Sequence, residues 1–314
     1  MCIGTRISNY RILSQTPLGE LGPVYKAVHE TSRDSRWLKI LSAKAMTPAL
    51  KQEILDRAQR ATSLKNSHIL GNSPPELADS LILIPLDFIE GFSLYSKIQE
   101  GCARLDFALE IGLNTADALA DAHDAGLVHG ELTPGKLFLA SGSHLKIAGF
   151  HLSSYGRNFE EHFQILPLWS NKSAPISLRL FPEIAYLAPE RIRGDSPAVQ
   201  SDLFSLGVIL YELLTGEFLF QSGSPDEIKR LILEQPIPQL KAKRPDIPEI
   251  WNRILKALLI RDTAKRYPSA RDLLNDLQQV RWGFSIERPA FLSKNPNIHR
   301  RGFFRRLKPD LDLK

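Results

Sequence analysis

The chain has 314 residues, 43% of them hydrophobic and 24% charged, with 40 Lys and Arg against 35 Asp and Glu. Those proportions exclude a wholly disordered or collagen-like chain, and the length fits one large two-lobed domain or two small ones. The net charge of +5 is local: residues 281–314 hold nine basic and three acidic side chains, which leaves the first 280 residues at −1.

In chain order, the first 90 residues read as strand-rich. Residues 10–13, 24–28 and 37–41 are short apolar or β-branched runs with turn residues between them. A polar helical stretch is expected at about 48–64, with further strands near Ile69 and at 81–84. Beyond Gly91 the pattern becomes helical. Ala108, Ile111, Thr115, Ala116, Leu119 and His123 lie three or four apart, and Gly126 stops the run. Residues 204–211 are apolar nearly all round, which predicts a buried central helix. Ser224-Pro225-Asp226-Glu227 reads as a capping box with proline at the first helical position. Leu273, Leu274 and Leu277 mark a last amphipathic helix. A β-rich part followed by a larger helical part is an α+β plan.

Two cysteines, Cys2 and Cys102, are too few for a disulfide framework and suit a reducing compartment. The first six residues lack the apolar stretch of a secretory signal. The longest apolar runs, at 81–89 and 204–214, are too short to cross a bilayer. A cytoplasmic protein without a transmembrane segment is expected.

Three blocks carry a specific resemblance. They are Tyr186-Leu187-Ala188-Pro189-Glu190, Ser201-Asp202-Leu203-Phe204-Ser205-Leu206-Gly207 and Arg266-Tyr267-Pro268-Ser269-Ala270. In this order and at these spacings they resemble the eukaryotic-type Ser/Thr protein kinase family in its bacterial form, over about residues 10–277. The resemblance implies a protein-kinase-like bilobed fold. Its small β-rich lobe would span residues 1–90, its larger helical lobe 91–282, and a basic tail 283–314. A fold does not by itself grant an activity. Kinase catalysis is positioning plus charge stabilisation by a few groups, each of which has a counterpart to inspect.

Most of those groups are changed. The glycine-rich loop keeps Gly19 and Gly22, but Pro17 stands at the first glycine position and Pro23 adds stiffness. The phosphate-holding lysine is present as Lys39. Two residues before it, the alanine that roofs the adenine is Trp37. Arg57 occupies the position of the glutamate that pairs with the lysine, and Glu53, one turn earlier, is the available substitute. The catalytic loop reads His129-Gly130-Glu131-Leu132-Thr133-Pro134-Gly135-Lys136. Glu131 replaces the catalytic aspartate, Thr133 the phosphate-steadying lysine, and Lys136 the metal-binding asparagine. The metal-binding Asp-Phe-Gly becomes Gly149-Phe150-His151, so neither Mg²⁺ ligand remains. Gly130 removes the arginine that would pair with a phosphorylated activation loop.

The residues the family uses for architecture remain. His129 and Phe150 should stack, Asp202 should cap the catalytic-loop backbone, and Glu190 should pair with Arg266. The adenine column would comprise Val24, Trp37 and Phe138, with Leu86 as gatekeeper and Phe88 in the hinge. Protein side chains are expected to replace adenine there. The resemblance therefore points to a pseudokinase that binds or scaffolds protein partners, such as an active kinase or its substrate. No cofactor is expected, and metal-free ATP is the one nucleotide form left open. Two alternatives stand beside it. One is a weak or unconventional ATP-dependent Ser/Thr kinase using Glu131 and Lys39. The other is an adaptor whose tail, residues 296–314, interleaves Arg with Phe to meet an anionic membrane or acidic partner. The serine-rich stretch after Gly149 is expected to be a disordered loop.

Overall fold

The computed structural model describes residues 3–15, 24–44, 46–140, 144–151 and 184–282. Gly19, Gly22, the serine-rich stretch after His151 and the basic tail lie outside the described residues.

The strand expected around residue 37 shows how the small lobe is built. Its side chains alternate between two faces, as a pleated strand requires. Leu38 and Ile40 join an outer cluster with Tyr10, Ile12, Tyr25, Ala27 and Leu83. Trp37 and Leu41 belong to a second cluster on the opposite face, with Val24, Ile82, Ile84 and Leu86. The strands are β1 (Arg6–Ile7), β2 (Tyr10–Gln15), β3 (Val24–His29), β4 (Ser35–Ser42), β5 (Glu76–Ala78) and β6 (Leu81–Asp87). They form one antiparallel sheet in the order β1-β2-β3-β4-β6-β5.

Between β4 and β5 runs helix α1 (Pro48–Ala61). The Thr47 hydroxyl caps it by accepting from the Leu50 amide at 3.2 Å, and Pro48 fits the first turn. Only Ile54, Ala58 and Ala61 of this helix are buried. The strand expected near Ile69 is a single parallel bridge to Ile147. The Leu70 amide donates to Ile147 O at 2.8 Å, and the Ile147 amide donates to His68 O at 2.7 Å. Residues 68–70 thus bond to β9 of the second part, while the next three turn back to β6, where the Asp87 amide donates to Gly71 O at 2.9 Å and the Ser73 amide to Pro85 O at 2.8 Å.

The second part begins with β7 (Gly91–Ser93), α2 (Leu94–Gln99) and α3 (Leu105–Asp124). Gly126 follows with φ +71°, which suits glycine, and its amide closes on His123 O at 2.9 Å. Strands β8 (Leu137–Ala140) and β9 (His144–Ile147) complete a three-stranded sheet in the order β7-β8-β9. The remaining α-helices among the described residues are α4 (Pro189–Ile192), α5 (Val199–Thr215), α6 (Pro225–Glu234), α7 (Leu240–Lys243), α8 (Glu249–Leu258) and α9 (Ala270–Arg281).

Helix α5 is buried continuously from Ser201 to Leu214, as its all-round apolar sequence requires. It forms the centre of the core, against α3 and α8. At the start of α6 only half of the expected capping box forms. Ser224 Oγ accepts from the Glu227 amide at 3.1 Å, but the Glu227 carboxylate is drawn to Arg230, at 2.6 and 2.9 Å.

Candidate functional site

The cleft lies where β4, α1, β8 and the loops around His129 and Gly149 converge. Lys39 pairs in register with Val24 on one side and Ile84 on the other. By alternation it shares a face with Trp37, towards the second part of the chain.

The catalytic-loop backbone is held from below by a buried carboxylate. Asp202, in the first turn of α5, accepts from the amides of His129 at 2.8 Å and Gly130 at 2.7 Å, and from His123 Nε2 at 2.8 Å. Burial alone would raise this carboxyl. The bond and charge of His123, with His129 and the Gly130 amide, hold it below its ordinary value.

His129 is fully buried, and its ring meets Phe150 edge-to-face with centroids 4.9 Å apart. Burial, and then the positive charge of Lys136, push its imidazole down to about 4. The ring is therefore neutral at pH 7. Its Nδ1 accepts from the Glu131 amide at 3.3 Å, so Nε2 carries the proton and donates to Ala148 O at 3.0 Å.

At the two positions that resemble metal ligands, the chemistry is inverted. Lys136 Nζ donates to Glu131 Oε2 at 3.0 Å and to Glu131 O at 2.9 Å. Both side chains are largely buried. The ammonium at the asparagine position thus neutralises the carboxylate at the base position directly. Gly149 has φ +115°, and a Cβ there would lie 2.9 Å from His129 Nε2 and 3.4 Å from Lys136 Cδ. An aspartate at 149 would need His129 or the backbone to move. Among the described residues, no three His, Cys, Asp or Glu side chains converge as metal ligands. The residues present do not fit Mg²⁺.

Arg57 is engaged with the catalytic-loop backbone. Its Nη2 donates to the Val128 carbonyl, which ties α1 to the residue before His129. Glu53 does not stand in for the missing glutamate. It is exposed on the outer face of α1, in a shallow groove with Gln52, Asp56 and Arg60. His151 is buried beside this group. Its imidazole is pushed well down by burial first, then by the charges of Lys39, His129, Arg57 and Lys136. Thr133 is buried beneath the turn that leads to Lys136, whose amide donates to Thr133 O at 3.1 Å.

The base-binding half of the cleft is apolar and continuous. Val24, Trp37, Leu86 and Phe138 belong to one cluster with Ala148, Leu70, Ile54 and Ala58, and Phe88 and Ile89 pack against it. Trp37 is 9% exposed, so it does not lie out on the sheet surface. Its Nε1 donates to the Ile89 carbonyl at 3.3 Å. Sequence reasoning had no signal for that bond or for the Arg57–Val128 contact, because both join segments far apart in the chain.

Further along, Arg266 and Glu190 form a bidentate pair, at 2.8 and 3.1 Å. Burial opposes ionisation of Glu190, but Arg266 and the Ser201 hydroxyl hold its carboxyl below the usual value.

A β-rich lobe on a helical lobe, with a catalytic-type loop strapped to a central helix, defines the class as a kinase fold. The protein kinase domain family matches residues 10–278, and the chain belongs to that family. The serine/threonine-protein kinase PrkC of Bacillus subtilis is 27% identical over 284 residues, covering 88% of this chain and 41% of that protein. The probable serine/threonine-protein kinase PknB of Lactococcus lactis is 24% identical over 275 residues, covering 85% of this chain and 41% of that protein. The chain thus spans about two-fifths of the length of these relatives. The crystal structure of the Mycobacterium tuberculosis PknI kinase domain superposes with a TM-score of 0.67 at 22% identity, over 89% of this chain and 99% of that one. That is a likeness of fold. No helix among the described residues is long and apolar enough to cross a membrane.

Proposed function

We propose that the protein is a pseudokinase: a kinase-fold binding or scaffolding module that performs little or no phosphotransfer. The observation that carries this reading is the Lys136–Glu131 ion pair. In an active site of this fold, a carboxylate receives the substrate's proton and metal ions neutralise the transferring phosphoryl group. Here the carboxylate is engaged by an internal cation, and Gly149 offers no ligand and has no room for one. Removing preorganised electrostatics at one point costs about 10²–10³ in rate, and several such points change together.

The architecture suits binding. Asp202, Arg57 and the Glu190–Arg266 pair hold the loops in place by contacts within the chain. The partner this implies is another protein, an active kinase or its substrate, met in the cytoplasm during signalling. The sequence of residues 296–314, in which Arg is interleaved with Phe, supports a second proposed partner, an anionic membrane or an acidic protein.

The test is transfer of radiolabel from ATP to a generic protein substrate with Mg²⁺ or Mn²⁺, with Lys39→Met as control. Incorporation at background in both proteins is expected. Incorporation above background that Lys39→Met abolishes would make the protein an enzyme.

A further inference from the structure

We infer that the Trp37 indole is a built-in ligand of the hinge: it takes the place of a purine base between the lobes and donates its N–H to the Ile89 carbonyl. This rests on the pseudokinase reading of the same cleft and addresses its base-binding half.

The geometry starts from the register of β4. Trp37 lies opposite Leu86 in β6 and Lys26 in β3, so its ring leaves the middle of the sheet on the face opposite Leu38 and Ile40. That face looks towards Phe138, on β8 of the second part. Roof, gatekeeper and floor (Val24, Leu86 and Phe138) are each at most 2% exposed and belong to one apolar cluster with the indole. A flat aromatic with one ring N–H is the side chain most like a purine in shape. An indole buried in apolar surroundings also needs a partner for that N–H. It finds one in the carbonyl of Ile89, two residues beyond the end of β6, on the connection between the sheets.

The hinge closes over the other side of the indole. The Phe88 ring lies 4.9 Å from the Trp37 ring at a tilt of 39°. Lys26 Nζ sits 4.3 Å from the Phe88 centroid, a cation–π contact that holds Phe88 against the stack. The indole thus has an apolar cluster around it, an aromatic hinge residue beside it and a hydrogen bond at its polar edge. A purine entering this space must first displace it. Its apparent affinity is the intrinsic one multiplied by the fraction of molecules in which the indole has left.

The test uses the full chain in EDTA, with adenosine and indole as probes. Adenosine carries no phosphate and EDTA removes metal, so the outcome is independent of the metal site. The wild-type melting temperature should not respond to either probe. Trp37→Ala installs the alanine of the family pattern. It should melt about 10 °C lower, and saturating adenosine or indole should raise it by about 5 °C.

Trp37→Phe keeps a ring and serves if the alanine variant does not fold. The emission lost on this substitution should be blue-shifted and resist acrylamide quenching, with or without adenosine. Any of three results overturns the inference: a wild-type rise with adenosine, a Trp37→Ala protein that responds to neither probe, or a lost component that is readily quenched. A wild-type response to adenosine would leave the proposed loss of phosphotransfer standing, since that loss concerns Glu131, Lys136 and Gly149.

Discussion

Arg266→Ala is expected to destabilise the fold by about 3–5 kcal/mol, because it strands a buried carboxylate. The guanidinium meets both oxygens of Glu190, donates to Gln200 O at 2.6 Å and to Ile260 O at 2.9 Å, and lies 5.1 Å over the Phe204 ring. One substitution therefore removes the cation from a buried carboxylate and the donor from the carbonyls of Gln200, Ile260 and Arg261, and uncovers a ring face. It also unties α4 from the loop before α9, 76 residues away in the chain. Domains of this size are stable by only about 5–15 kcal/mol, so the loss is a large share of the total. Arg266→Lys keeps the charge but not the fork, and should fall between wild type and Arg266→Ala. Urea unfolding midpoints of the three proteins decide the matter. A shift below about 1 kcal/mol for Arg266→Ala would show that the pair is not structural.

Mild acid should weaken the fold well before the carboxylates titrate. His129 is buried and neutral, with its imidazole pushed down to about 4 by burial and by Lys136. In the unfolded chain it takes up a proton near its ordinary value of about 6.5. Between those values the unfolded state binds more protons than the folded one, so stability rises with pH there. The contribution is complete above about pH 6.5 and is lost as pH falls towards 4, to a total of about 3 kcal/mol. His151 is shifted in the same direction. Asp202 and Glu190, both held low, add their own loss only on further acidification. Denaturant midpoints at pH 7.5, 6 and 5 should fall steadily. Equal midpoints across that interval would mean that His129 is protonated in the folded state.

The parts of the fold legible in the sequence were those whose residues carry one strong local constraint. Residues 204–211 are apolar on every side, and they form the buried core of α5. Tyr10, Ile12, Val24 and Leu38 are strand residues whose pairing follows from short connections. Helix α1 was different. With only Ile54, Ala58 and Ala61 buried, its polar sequence barely marks which side faces the core. Glu53 could therefore be offered as a partner for Lys39 when it faces solvent. Ile69 has strand-like neighbours, but its backbone crosses between the lobes and forms a single bridge.

The candidate site was legible as a set of substitutions and less so as a set of contacts. That Lys136 replaces an asparagine follows from spacing within the loop. That its ammonium reaches the carboxylate of Glu131, five residues earlier, depends on the fold of the 3₁₀ turn at Pro134–Lys136. The indole bond to Ile89 spans 52 residues, and the Arg57 bond to Val128 spans 71. No local pattern encodes either one.

On the proposed reading, the Lys136 ammonium takes over the charge balance that Mg²⁺ maintains in active kinases of this fold. The most direct measurement is the melting temperature of the full chain with ATP, titrated with and without MgCl₂. Superimposable curves, with no metal-dependent rise, are predicted. A clear rise that requires Mg²⁺ would contradict the account, because it would mean that the cleft still assembles a metal–nucleotide site despite Lys136 and Gly149.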